Sequence, residues 1–252
     1  FSDFYSGFSQ IFNSSIDPNA GMTVFPSLNI PSGGKYEGMG TAYTAVAREA
    51  SFIEANPAAS SVLKFSELSF SHNNWIADSK VEGVIFTDRH SNFGYGFAGK
   101  FLYLPFQSYS SYGDRLAQGY YSESIVTMNG SYNFFPSYYF HGLAVGGNLK
   151  VAYRHVPDVI YESQSVITAA VDLGVLTRFN LLKFYPSRDK NFSVGLTAKN
   201  IGLYALDEPL PMSAVAGIAY SPIRPLTLAF DFNYPFSFDY ERYPAESWFV
   251  ST

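Results

Sequence analysis

From about residue 61 onward the chain keeps a hydrophobic period of two, over segments too long for the ordinary strands of a soluble sheet. In Leu143–Arg154, Leu143, Val145, Leu149, Val151 and Tyr153 fall on one face while Asn148, Lys150 and Arg154 fall on the other. Phe93, Tyr95, Phe97, Phe101 and Tyr103 share a face opposite Gly94, Gly96, Ala98 and Lys100. The same alternation sets Asp172 opposite Ile167, Val171 and Leu173, and Lys199 opposite Phe192, Val194 and Leu196. It predicts nine antiparallel strands, over residues 61–75, 81–90, 93–106, 120–135, 143–156, 163–179, 192–202, 212–221 and 226–236. Turn-forming residues stand between them, as at Asp88–Asn92, Val156–Asp158, Pro186–Asn191 and Ser221–Pro225. Soluble strands usually run about 5 or 6 residues, whereas a tilted strand crossing a bilayer needs about 9 to 11. Aromatics gather near strand ends, at Trp75, Tyr103 with Phe106, Phe134 with Phe135, Tyr138–Phe140, Phe184 with Tyr185, and Tyr234 with Phe236. That is the placement of interfacial girdles, where a ring offers an apolar body and, in Tyr and Trp, a polar tip.

A soluble antiparallel sandwich or barrel would alternate in the same way; composition separates the two. Charged residues are 15% of the chain and aromatics 18%, against about 25% charged in an ordinary soluble domain. Ser, Asn, Thr and Gly supply polarity in place of Lys and Glu, which suits a wall with one apolar and one polar face. No run of 18 apolar residues marks a membrane helix, but closed β-barrels also satisfy every backbone group within a bilayer. The expected class is therefore all-β, an antiparallel transmembrane barrel. A net charge of −5 excludes nucleic acid as a partner. With no cysteine, neither a disulfide nor a thiolate metal site exists. The chain opens on Phe1-Ser2-Asp3 and reads as mature or trimmed.

Residues 1–60 differ, being rich in Ser, Asn, Pro and Gly, with one short helix expected around Glu37–Ala50. Gly38, Gly40, Ala42, Ala45 and Ala47 are small enough to pack inside a barrel, and Pro57, which cannot donate to a ladder, suits the junction with the first strand. Two domains are expected, an N-terminal segment over 1–60 and a barrel over 61–252. The inward charges Lys100, Lys150, Arg154, Asp172 and Lys199 line the polar face, either to pair with one another and hydrate a lumen or to orient an anionic head group. His72, His90, His141 and His155 are scattered without zinc-ligand spacing, and neither Ser71-His72 nor His155 with Asp158 makes a catalytic set. No phosphate-binding glycine loop appears. An enzyme, a metal and a cofactor are all unexpected.

Gly33-Gly34-Lys35-Tyr36-Glu37-Gly38-Met39-Gly40-Thr41-Ala42, then Ala45-Val46-Ala47, then Asn56-Pro57-Ala58-Ala59, resembles the N-terminal signature of the FadL superfamily of outer-membrane barrels. Ala169–Leu176, Gly195–Gly202 and Leu210–Tyr220 resemble its PorV-like branch, and within it the UPF0164 group of spirochaetes. The resemblance implies a 14-stranded barrel closed by an N-terminal hatch, with Gly38, Met39, Gly40, Asn56, Pro57 and Ala58 as hatch and ligand-binding residues. Nine strands fall short of 14, and Ser247–Thr252 lacks a closing strand, so the barrel is expected to be partial.

The resemblance implies a bacterial outer-membrane channel for a hydrophobic small molecule or long-chain fatty acid, working by binding and hatch gating. It equally implies a second role, a PorV-like barrel that receives an outer-membrane or periplasmic protein partner. A third reading is a surface antigen or adhesin, with Ser108–Tyr121 as its contact loop. A continuous apolar pocket beside the hatch favours transport. An interior filled by polar groups, with a large loop platform, favours the partner role.

Overall fold

A computed structural model describes residues 23–46, 48–137, 141–158, 163–187, 189–238 and 249–251. Within the expected hatch segment residues 1–22 and Ala47 lie outside these, as do the aromatics Tyr138–Phe140. The alternation becomes one antiparallel sheet whose strands follow chain order: β1 (Glu67–Asn74), β2 (Lys80–His90), β3 (Phe93–Tyr109), β4 (Arg115–Phe134), β5 (Leu143–His155), β6 (Val166–Phe179), β7 (Phe192–Gly202), β8 (Ser213–Ile223), β9 (Leu226–Pro235) and β10 (Phe249–Ser251). Each strand pairs with its neighbour in sequence, the order expected when short hairpins join long strands.

Four expectations are corrected. The helix over Glu37–Ala50 shrinks to a single turn, α1 (Gly34–Gly38), because Gly40 and Thr41 take left-handed backbone angles that end it. A second turn, α2 (Phe52–Ala55), follows. The first strand begins at Glu67 instead of 61, since Pro57–Val62 forms a 3-10 turn capped by Asn56, whose side chain accepts from the Ala58 N–H. Most of the expected loop Ser108–Tyr121 is strand: β3 and β4 pair as far out as Tyr109 with Arg115, well beyond the last β4–β5 pair at Ser122 and His155. Finally, the described residues hold ten strands, Phe249–Ser251 pairing with β9 where no closing strand was expected.

The sheet curls around the inner segment, residues 23–63. Seven strands laid flat, β3 to β9, would span about 29 Å between the outer strand axes, at about 4.8 Å per spacing. Yet Ser60 and Ser61 touch β3 at Gly94, Pro57 touches β5 at Gly146, Asn56 touches β6 at Gly174, and Thr44 touches β7 and β8 at Gly195 and Gly217. The Thr44 N–H reaches Asp231 of β9 at 2.9 Å. Asn56 and Thr44 are themselves joined by a 3.0 Å hydrogen bond, and the turn from Pro57 to Ser60 rises only about 6 Å. A flat sheet cannot meet so small a cluster with seven strands. Glycines allow the approach, because a Cβ at Gly146 would stand 2.6 Å from the Pro57 carbonyl carbon.

Curling separates two faces of opposite character. The convex face carries the large apolar residues of the period-two pattern: Leu149 is 51% exposed, Phe97 49% and Leu228 55%. The concave face buries the polar ones, with Asp172 fully buried beside Asn148 and Lys150. The apolar core proper lies within the curl, where Tyr43, Phe52, Ala55, Ala58 and Val62 meet Ala144, Leu176 and Ala219 of the sheet.

Candidate functional site

The inner segment has few regular elements, so most of its backbone groups need partners outside itself. Inward side chains of the sheet supply them. Asn129 of β4 donates to the Pro57 carbonyl at 2.9 Å and to Asn148 Oδ1 of β5 at 2.7 Å, and accepts from Ser60 at 2.5 Å. Asn148 in turn donates to the Ile53 carbonyl and to Asp172, each at 2.8 Å. Asp172 forms an ion pair with Lys150 at 2.7 Å and accepts from the Asn200 N–H, and Lys150 also donates to Asn200 Oδ1. A polar belt thus crosses β4, β5, β6 and β7 and ends on the inner segment.

Most of the expected inward charges serve this interface. Lys100 pairs with Glu54 of α2 at 3.0 Å and donates to the Ile30 carbonyl. Lys199 donates to the Tyr36 hydroxyl at 3.3 Å. Arg154 stands apart, nearer the other end of β5, with its guanidinium 3.8 Å from Glu208. Lys100, Lys150 and Lys199 therefore anchor or brace the segment; they do not face an open space where a head group could sit.

The expected hatch residues divide. Asn56, Pro57 and Ala58 are completely enclosed, and the Asn56 amide bridges the Thr44 and Val175 carbonyls at 3.0 and 3.1 Å. Gly40 supplies a turn. Gly38 and Met39 instead line a pocket of about 370 Å³ between the inner segment and β9. Its wall is apolar at Met39, Tyr43 and Val46, with Lys35 and Arg48 at its margin. Burial, reinforced by the nearby Glu49 carboxylate, holds the Tyr43 phenol above its ordinary pKa, so this wall stays uncharged.

A larger chamber of about 740 Å³ opens where the inner segment meets the sheet margin formed by the start of β1 and the ends of β2 and β6. No periodic pattern in the sequence points to it. Its charged lining comes from connections and strand ends: Arg48, Lys64, Arg89, Arg178, Lys190 and Arg224. His141, in the β4–β5 connection, also lines it. Burial, followed by the charges of Arg178 and Arg89, depresses the His141 imidazole to about 4. Asp189 is bonded to Lys64 at 2.6 Å, and that hydrogen bond holds its carboxyl below the usual range.

His72 pairs with Glu82 at 2.7 Å on the exposed face, and the Ser165 hydroxyl lies 3.4 Å from His155. Neither set resembles a catalytic triad. Among the described residues no group of three His, Cys, Asp or Glu side chains is placed to hold a metal, and no helix is long and apolar enough to cross a membrane.

The sequence profile of an uncharacterised protein family, UPF0164, matches residues 3–234. A UPF0164 protein of Treponema pallidum (strain Nichols) is 35% identical over 216 residues, covering 81% of this chain and 50% of the relative. A second from that strain is 31% identical over 179 residues, covering 70% of the chain and 53% of the relative. The chain spans about half the length of these curated relatives.

Proposed function

The chain belongs to the UPF0164 family, and from that footing we propose that it is a FadL-like outer-membrane channel for hydrophobic small molecules such as long-chain fatty acids, gated by its inner segment acting as a hatch. The observation that carries the reading is the inversion of polarity between the two faces of the sheet. Soluble monomers rarely expose contiguous apolar patches beyond a few hundred Å². Here exposed apolar residues run across adjacent strands, from Phe70 on β1 through Phe97, Met128, Leu149 and Leu173 to Phe230 on β9. On β5 they extend from Leu143 to Tyr153. Ten residue steps at about 3.3 Å, tilted by about 40°, give a band about 25 Å tall, the height of a barrel's lipid-facing belt.

In this reading the apolar pocket beside Met39 holds the solute's chain, and movement of residues 34–46 relative to β9 opens the passage. The mechanism is binding and displacement without chemistry. Titration of the detergent-folded protein with oleate against a short-chain carboxylate, followed by aromatic fluorescence, tests it. Saturable quenching by oleate alone is expected. No response, in protein shown to be folded by heat-modifiable gel mobility, removes the fatty-acid reading.

One observation favours a second reading, the PorV-like partner role. The interior is occupied by the polar belt, and the β3–β4 hairpin projects beyond β5 with Tyr109, Tyr112, Leu116 and Tyr120 exposed. An interior closed by bonded polar groups suits a scaffold better than a wide passage. The projecting hairpin also offers a partner the aromatic anchors common in interfaces.

A further inference from the structure

The chain carries a net charge of −5 and 16 Lys and Arg residues in all, yet among the described residues six of those cations line one 740 Å³ chamber against two carboxylates, Glu67 and Asp189. Both acids already have partners: Glu67 accepts from the Ala50 N–H at 3.0 Å, and Asp189 holds Lys64. The guanidinium groups are oriented by neutral oxygens. Arg48 donates to Ser221 Oγ at 3.1 Å, Arg178 to the Val46 carbonyl at 3.3 Å, Arg89 to the Ser61 carbonyl at 3.5 Å and Arg224 to the Pro186 carbonyl at 3.0 Å. At Arg48, Arg89 and Arg224 such bonds fix direction without cancelling charge.

Gathering like charges around a cavity costs folding energy unless something of opposite charge enters. We propose that the chamber is a binding site for a phosphate-bearing anion, held by Arg48, Arg89, Arg178 and Arg224. Arginine forks match phosphoryl oxygens in a bidentate fashion, and the chamber falls within the size of small-molecule sites. Val46, Val62, Leu63 and Tyr185 in the same lining receive an organic remainder. The depressed His141 imidazole agrees with a positive local potential, because Arg178, Arg89 and Lys190 all act on it after burial.

The chamber adjoins the Met39 pocket, sharing Val46, Arg48 and Thr227 with it, but the proposal does not rest on the channel reading, because Arg89, Arg178 and Arg224 lie outside that pocket. The phosphoryl group can belong to a soluble metabolite or to a lipid head group, and two probes separate these. The full chain, folded in detergent micelles, is titrated calorimetrically at low salt with inorganic pyrophosphate and with dihexanoyl phosphatidate. One saturable site, weakened by added salt, is expected for at least one probe. Pyrophosphate binding assigns a soluble source, and phosphatidate binding alone assigns a lipid. Arg89→Gln should weaken the bound probe at least about tenfold, and Lys80→Gln, remote from the chamber, should leave it unchanged. Arg224→Gln, in the exposed β8–β9 turn, provides a second variant where Arg89→Gln does not fold. Binding of neither probe, or equal binding by wild type and both arginine variants, overturns the site. Oleate quenching in the same samples reports on the channel reading separately.

Discussion

The inner segment meets the sheet in two ways. Against β3 to β6 residues 52–61 lie in direct contact with the strand backbone, at Gly94, Gly146 and Gly174, and are held by a continuous polar belt. Toward β9, residues 34–46 face a pocket, and the bonds that cross to β9 are those of the Tyr43 and Thr44 N–H groups to the Asp231 carboxylate, at 3.0 and 2.9 Å. Both sides are packed, but only residues 34–46 also border a cavity. In the channel reading proposed above, holding one half of the segment on strand backbone while the other borders a cavity is what would let it both seal and yield.

The largest break in this contrast is expected at Asp172. Asp172→Ala strands the buried Lys150 ammonium and frees Asn148 and the Asn200 N–H. Loss of one partner of a buried pair costs about 3–5 kcal/mol. The urea midpoint of the detergent-folded chain should drop accordingly, and amides of residues 56–61 should lose protection from exchange. An unchanged midpoint would show that the belt does not hold the segment.

Gly146→Ala tests the contact side by sterics alone. Its Cβ would meet the Pro57 carbonyl, which accepts from Asn129 and is held there, so the segment must lift. Overpacking of this kind costs about 1–3 kcal/mol. Gly130→Ala, on the same hairpin face as Met128 and with nothing near its Cβ, should stay within about 0.5 kcal/mol. Equal effects for the two would contradict a tight contact at Gly146.

On the pocket side the outcome should invert. Met39→Trp fills the space beside Val46 with little change in the urea midpoint, about 0.5 kcal/mol or less for a site that is not close-packed. Oleate quenching should disappear. A destabilisation as large as that of Gly146→Ala would erase the difference between the two sides.

Strand placement was legible because each strand reports its own two faces through neighbours two residues away, as Leu149 and Val151 do on either side of Lys150. The inward charges could be assigned to the concave face for the same reason. What they touch could not be read, since Thr44 meets Asp231 across 187 positions and Ile53 meets Asn148 across 95. Residues 61–66 fall in the expected first strand, but the 3-10 turn started by Asn56 and Pro57 runs to Val62, and pairing begins only at Glu67. Thr41, at φ 67, broke the expected helix through a backbone angle its residue type does not announce. The basic chamber escaped because its cations sit in six separate stretches of sequence, each bland by itself. Arg89, Lys190 and Arg224 lie in three of the expected turns, at 88–92, 186–191 and 221–225, and nothing in the sequence joins those turns.

The smallest effect belongs to His141. Its folded pKa of about 4 lies below the roughly 6.5 of an unfolded chain, through burial and then the fields of Arg178 and Arg89. The fold therefore favours neutral imidazole. This contribution is complete above about pH 6.5 and is lost as pH falls toward 4, where the folded state also protonates. Asp189, whose carboxyl is lowered by Lys64, acts in a separate window: its contribution is present above about pH 3.8 and is lost only below that. Loss of thermal stability between pH 6.5 and 4 should thus shrink in His141→Gln while any loss below pH 4 persists. Each unit of pKa shift corresponds to at most about 1.4 kcal/mol, and partial exposure of the ring reduces that ceiling. Saturating pyrophosphate should act on this same window, since an anion beside Arg89 and Arg178 offsets the field that keeps His141 neutral. The decline should still begin near pH 6.5 but end at a higher pH and be shallower in wild type, with no such change in Arg89→Gln. An identical pH profile with and without the anion would separate His141 from the chamber's charge.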